Sequence, residues 1–451
     1  MLSGLCREEW EIKDMKISKK QIAGMMAAAL CITGIIIYGE NKKSPQVLEF
    51  GMFGDSYWEV ANADGYVIID KAIQKFEKKY PEVKIHYYSG ITKDDYEEWL
   101  SRKILKGDTP DVFMILSEDF SHLVSLGLLE NLDQRIQEDT SVEIRDYYET
   151  SLEAGKIDDS QYALPYETVP TLMFVNKTLL DKEGIPVPDA DWSWEDMYRI
   201  CRKVTKDLDG DGRLDQFGTY NYGWLEALYS NDGNVFDQQG KKCYLASEQT
   251  EDAVRFILKL NELYQGGKVT QETFDAGNVA FMPLSFAEYR TYKTYPYKIK
   301  KYSNFQWDCI TLPSGPKGDN ISRVDSLLIG ISSKSRQKDL AWEFLKMLTN
   351  DREIQMELFR YSQGASVLKE VTNSTEAEEI LKKDTEESDK IIDHNLLNQV
   401  IMNGRVVKEF PKYKEAMALA EGEVLKLYDS STNVESSLKI TQRMVTNLLE
   451  K

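Results

Sequence analysis

The run Asp111–Leu116 (DVFMIL) most narrows what this chain can become. A short, uninterrupted apolar segment suits a parallel strand buried on both faces, and parallel strands need long crossovers between them. The flanking sequence supplies those crossovers. Val47–Phe53 is expected to be a strand, and Val67–Tyr80 an amphipathic helix carrying Ile68, Ala72, Ile73 and Phe76 at helical spacing. Val83–Tyr88 alternates as a second strand after Pro81, and Tyr96–Leu105 is again helical with Gly107 just beyond its end. Strands alternating with helices predict an α/β fold. At 451 residues the chain is too long for one ordinary core, so two lobes are expected.

Further along the pattern turns more helical. Ser193–Asp196 (SWED) suits the start of a helix over Trp192–Thr205, and Gln249–Tyr264 is a long amphipathic helix ended by Gly266–Gly267. Trp307–Leu312 and Leu327–Ser332 are expected strands, Lys338–Leu348 a helix, and the remainder mostly helical. A net charge of −19 argues against nucleic acid, which needs clustered Lys and Arg. Three histidines leave little room for His-based catalysis or metal binding, and the scattered cysteines form no CxxC pair. GxSxG, HExxH, P-loop and GxGxxG patterns are all missing.

The N-terminal segment sets the compartment. Ile22–Tyr38 carries no charge and follows Lys16, Lys19 and Lys20, a basic region feeding an apolar one, which predicts export. The run MKISKK from Met15 is the more ordinary start. Leu30 before Cys31 does not suit lipidation, and Ala27–Ala29 would leave an apolar stub after cleavage. Residues 1–45 therefore read as an uncleaved signal anchor and tether, with a processed signal peptide as the alternative. The bulk is expected at the extracellular face of the cytoplasmic membrane.

The sharpest local motif is Asp207-Leu208-Asp209-Gly210-Asp211-Gly212-Arg213-Leu214-Asp215. Asp207, Asp209, Asp211 and Asp215 occupy loop positions 1, 3, 5 and 9, with the Arg213 carbonyl at 7, and hard oxygens so spaced can wrap a structural Ca²⁺. The bidentate Glu of an EF-hand is replaced by Gly218. An acidic surface turn is the plainer alternative.

Several landmarks, in order along nearly the whole chain, resemble the family 1 extracellular solute-binding proteins of bacterial ABC transporters, the maltose-binding-protein-like group. They are Thr109-Pro110-Asp111-Val112-Phe113, Leu164-Pro165-Tyr166 with Phe174-Val175-Asn176-Lys177, and Glu183-Gly184-Ile185-Pro186 with Asp191–Asp196. Ala280-Phe281-Met282, Ile310-Thr311-Leu312-Pro313 and Ala341-Trp342-Glu343-Phe344-Leu345 complete the set. The chain departs from the family at Tyr38-Gly39-Glu40, where a lipobox cysteine is usual, at Pro283–Tyr289, and at Val324-Asp325-Ser326 in place of Gly-Gly.

The resemblance implies a periplasmic-binding-protein type II fold, in which two α/β lobes are joined by a hinge with a ligand cleft between them. The expected lobes are 46–169 plus 305–331, and 170–304 plus 332–451, with crossings near Val169–Pro170, Asn304–Phe305 and Ile331–Ser332. It further implies a carbohydrate ligand, ABC permease subunits as partners, a monomer, and no catalytic cofactor. Cleft residues are expected just past strand ends. The candidates are Phe53, Asp55, Tyr57 and Trp58, then Ser117 and Glu118, Glu167 and Thr168, Trp224, Tyr229, Asn231 and Asp232, Ser285 and Tyr289, and Asp325, with Trp58, Glu118 and Trp224 foremost. A membrane-anchored solute sensor on the same fold is the alternative function, and a glycan-processing enzyme with two distant carboxylates the third.

Overall fold

The computed structural model describes residues 45–58, 60, 65–294, 305–383, 392, 394–428 and 432–450. The apolar segment 22–38, with Cys31, lies outside them. Among the described residues no helix is long and apolar enough to cross a membrane.

The strands are β1 Gln46–Gly51, β2 Val83–Tyr87, β3 Val112–Ile115, β4 Lys156–Ile157, β5 Ser160–Gln161, β6 Ala163–Asn176, β7 Phe217–Thr219, β8 Val279–Ser285, β9 Trp307–Ile310, β10 Val324–Ile331 and β11 Ala365–Ser366. Apart from the small β4–β5 hairpin they form one nine-stranded path, β2-β1-β3-β10-β6-β8-β7, with β9 and β11 also on β6. β1 pairs in parallel with β2 and β3, and β10 runs antiparallel to β3. All four residues of β3 are buried, as the apolar run demanded. Helices cover both faces: Gly65–Lys79 is held through Ile68, Ile69, Ala72 and Phe76, and Lys93–Lys106 is capped by Thr92 and stopped by Gly107 at φ +75°.

β6 is the connecting beam. Its fourteen residues are almost wholly buried, and its hydrogen-bonding partners change midway. Ala163–Pro170 pairs with β10, whereas Thr171–Val175 pairs with β8 and Met173–Asn176 with β9. Pro170, which has no N–H to give a ladder, stands where the partners change. The expected crossing at Val169–Pro170 falls at this place.

Two hydrophobic cores lie on either side. The first gathers β1, β2, β3, β10 and the start of β6, and continues through Phe174, Met282 and Cys309 on one face of the far strands. The second gathers the far end of β6 with the helices Trp194–Val204, Glu248–Glu262, Tyr413–Tyr428 and Val434–Leu449. Ser193 and Asp196 close a capping box at the first of these, which locks the start read from the sequence.

The expected lobe boundaries shift at the C-terminal side. The described residues between 332 and 383 and between 394 and 402 pack on the first core: Phe344 of the helix Lys338–Thr349 is fully buried, 5.4 Å from the Phe50 ring and 5.2 Å from Phe76. Lys75 of the helix Gly65–Lys79 pairs with Asp351 at 2.7 Å and Glu353 at 2.8 Å. Ile331–Ser332 is accordingly no crossing, because β10 ends there still paired with β3 and Ser332 bridges Leu129. The chain instead passes between the cores at Ser285–Phe286, at Arg323–Val324 and through 404–409, where Arg405 exchanges backbone hydrogen bonds with Ser322 and Val324. Asn304 lies outside the described residues. The apolar stripe of a helix shows that it is buried but not on which core, so these boundaries depend on tertiary packing.

Replacing Phe344 with Ala removes a ring locked between β1 and its covering helix, and should destabilise the first core by about 3–5 kcal/mol. Denaturant unfolding measures this, and unchanged stability would show that the helix does not belong to that core.

Candidate functional site

A cavity of about 490 Å³ opens where the chain crosses between the two cores. The first body supplies Tyr57 and Trp58 from the turn after β1, Lys93, Asp94 and Glu97 from the start of the helix Lys93–Lys106, and Leu116, Ser117 and Glu118 from the end of β3. Arg323 and Asp325 come from the crossing into β10. Glu409 follows the last crossing, and Lys414 lies on the helix Tyr413–Tyr428 of the second body. The volume is that of an ordinary small-ligand cleft.

The rings are held in fixed orientation. The Tyr57 hydroxyl lies 2.6 Å from Ser117 Oγ and accepts the Ser117 N–H at 3.2 Å. Trp58 stands edge-on to Tyr57 with centroids 4.7 Å apart, and the Lys93 ammonium sits 5.1 Å from the Tyr57 ring centre. The charges are interlaced. Arg323 Nε donates to Asp325 at 2.7 Å, and Nη2 lies 3.7 Å from Glu409. Lys414 reaches across from the second body to Glu118 at 2.7 Å. Burial, then the neighbouring Glu97 and Glu118, push the Asp119 carboxyl up to about 6. Burial likewise raises Glu409, with Arg323 opposing it.

Of the residues singled out from sequence, Tyr57, Trp58, Ser117, Glu118 and Asp325 come together here. Asp55 is exposed at the rim and accepts the Lys93 N–H at 2.7 Å. The others lie elsewhere, each for a visible reason. Phe53 is buried in the first core against Tyr96. Glu167 is buried behind the cleft, with the Trp58 side chain beside it and the Ser362 hydroxyl and Gly364 N–H anchored on it, and Thr168 is buried with its hydroxyl on the Asp325 carbonyl at 3.2 Å. Trp224 packs inside the second core. Asn231 is fully buried and accepts the Lys317 N–H at 2.9 Å, while Asp232 pairs with Arg405. Ser285 caps the helix Phe286–Thr294 through Glu288, and buried Tyr289 accepts the Ile392 N–H at 3.0 Å. Tyr229 lines a second cavity of about 360 Å³ behind Arg405–Lys408, which draws on the second body and the last crossing alone.

Lys93, Asp94, Glu97, Leu116, Arg323, Glu409 and Lys414 were not foreseen. Arg323 and Lys93 adjoin regions already under suspicion, but nothing local marks Glu409 or Lys414, which reach the cleft only through the last crossing.

In the acidic loop, Asp207, Asp209 and Asp215 bring carboxylate oxygens within 4.8 Å of one another, whereas Asp211 stays apart and accepts the Arg213 N–H at 2.8 Å. Asp207 accepts N–H bonds from Gly212 and Gly210 at 2.8 and 2.7 Å, which lower its carboxyl. Gly210 and Gly212 take positive φ to make this wrap. Three carboxylates fit a hard cation, while the loop is also internally bonded as a turn.

Comparison with known proteins follows the same geometry. The galactooligosaccharide-binding protein of Bacillus subtilis is 22% identical over 350 residues, 75% of this chain and 78% of that protein. Among solved structures, the sugar-binding protein MalE of Xanthomonas citri superposes with a TM-score of 0.72 at 14% identity, covering 90% of this chain and 98% of its own. The cyclic α-maltosyl-1,6-maltose binding protein of Arthrobacter globiformis gives 0.72 at 14% identity, covering 90% and 99%. These likenesses establish the type II periplasmic-binding-protein fold. The profile of the bacterial extracellular solute-binding proteins matches residues 61–355, and this chain therefore belongs to that family.

Proposed function

We propose that this protein is the extracellular substrate-binding subunit of an ABC importer, capturing a carbohydrate between its lobes and delivering it to a membrane permease. The observation that carries the reading is the cleft itself: two fixed aromatic rings beside interlaced carboxylates and a guanidinium, at the crossing between two bodies. Aromatic faces match the C–H surfaces of sugar rings, and charged acceptors and donors match their hydroxyls. Relatives named for galactooligosaccharide and maltosyl ligands support a saccharide. Ligand that touches both bodies favours the closed arrangement by its differential contacts, and a permease reads that closed form. The protein acts as a monomer, tethered by its N-terminal apolar segment, and returns its ligand unaltered.

A saccharide ligand should raise the melting temperature as the logarithm of its concentration once above its dissociation constant. Trp58→Ala should weaken binding about tenfold or more, a loss of at least ~1.4 kcal/mol. Saccharides that leave the melting curve untouched across a broad panel would defeat the reading, as would product formation on incubation with oligosaccharides.

The Asp207–Asp215 loop is proposed to hold a structural Ca²⁺ through Asp207, Asp209 and Asp215, the three carboxylates that converge. EDTA should lower the melting temperature and added Ca²⁺ restore it. A curve indifferent to both removes the ion.

A further inference from the structure

The cleft holds more negative than positive charge. Asp94, Glu97, Glu118, Asp325 and Glu409 set five carboxylates around it, against the three cations Lys93, Arg323 and Lys414. Arg323 is shared between Asp325 and Glu409, so that group keeps one charge in excess. Lys414 balances Glu118. Lys93 leans on the Tyr57 ring while Asp94 and Glu97 share its helix, which leaves a second excess charge. Asp119 adds another carboxylate beside Glu118, raised by burial and by repulsion from Glu97 and Glu118. Carboxylates crowded together in one cleft gain from an arriving cation, most of all where one of them, Glu409, is shielded from water.

The molecule also shows what kind of cation this place accepts. The Lys414 ε-ammonium enters from the second body, bonds Glu118 at 2.7 Å, and is held in its charged form further by Glu409 and Glu97. Its side chain is 69% exposed, so the pair is a weak one that a competitor can replace.

We propose that the cleft selects an amino sugar, a saccharide bearing a free ammonium group, which takes the place of the Lys414 ammonium beside Glu118. The inference rests on the carbohydrate reading above and adds the charge class of the ligand. Glu97, Glu118 and Glu409 receive the ammonium, the Tyr57 and Trp58 rings receive the sugar face, and uronates and sugar phosphates are repelled.

Titration calorimetry on the purified protein near neutral pH tests this with a glucosamine disaccharide, its N-acetylated form, digalacturonate, and putrescine as a non-sugar amine. The amino disaccharide should bind about tenfold more tightly than its N-acetylated form, equivalent to about 1.4 kcal/mol, and digalacturonate should not bind. Lys414→Met should raise the ratio of amine to N-acetyl affinity, and Glu97→Gln should lower it. Both positions are on the surface of helices, and a melting curve on each variant shows that it is folded. An N-acetylated disaccharide that equals the amine, or a uronate that binds, overturns the charge preference and leaves carbohydrate capture standing. Putrescine binding with no saccharide binding overturns carbohydrate capture and leaves the ammonium site. Silence from all four probes removes both.

Discussion

The architecture depends on one strand serving both halves of the sheet. β6 runs unbroken from a register with β10 to a register with β8 and β9, and the change falls at Pro170–Thr171. A strand buried along its length cannot leave its peptide groups unpaired, so each half fixes the sheet beside it. Met173 and Val175 point into the second core while Phe174 points the other way, toward Phe274 and Trp307. That period of two sets which core lies on which face. The later passages at Ser285–Phe286, Arg323–Val324 and 404–409 gather around the same beam, and the cleft lies where they gather.

Polar contacts bridge the two bodies: Glu118 with Lys414, Asp158 with Gln239 at 2.8 Å, and Glu153 with Lys408 at 2.6 Å. The exposed Glu118–Lys414 pair contributes roughly 0–1 kcal/mol, whereas the Lys408 side chain is only 8% exposed and its pair with Glu153 is largely shielded from water. Most apolar burial divides between the two cores, although Leu172, Phe174, Phe274, Val279, Met282 and Cys309 carry the first core across the far end of β6 and its neighbours. In a two-lobed binding protein, weak contacts between the bodies let a ligand of ordinary affinity decide between arrangements.

Sequence reasoning succeeded where the cause was local. The four buried residues of β3, the Ser193–Asp196 capping box and the Gly107 stop each follow from neighbouring residues alone. It failed where the cause was a distant partner. An apolar stripe on Lys338–Thr349 announces burial, yet only Phe50 and Phe76 decide that the burial is in the first core. The same limit shaped the site. Tyr57, Trp58, Ser117 and Glu118 line one cavity because each follows the end of a parallel strand, a place recognisable in sequence. Trp224 and Glu167 take packing and anchoring positions that the sequence does not reveal, because an amphipathic ring and a carboxylate look alike in sequence whether they face a ligand or anchor a neighbour, as Glu167 anchors Ser362 and Gly364.

Glu167 and Glu409 show how one residue type takes two roles in this fold. Both are raised by burial, but Glu167 is satisfied by a hydroxyl and an amide of its own body. Glu409 has a guanidinium 3.7 Å away, longer than a close ion pair, and other carboxylates around it. A buried acid whose partners are internal adds to the rigidity of the scaffold. One whose nearest cation is distant and shared keeps unspent affinity for a donor or a cation from outside. Placing the first kind within β6 and the second kind at the crossing separates the rigid beam of the molecule from the part that meets a ligand.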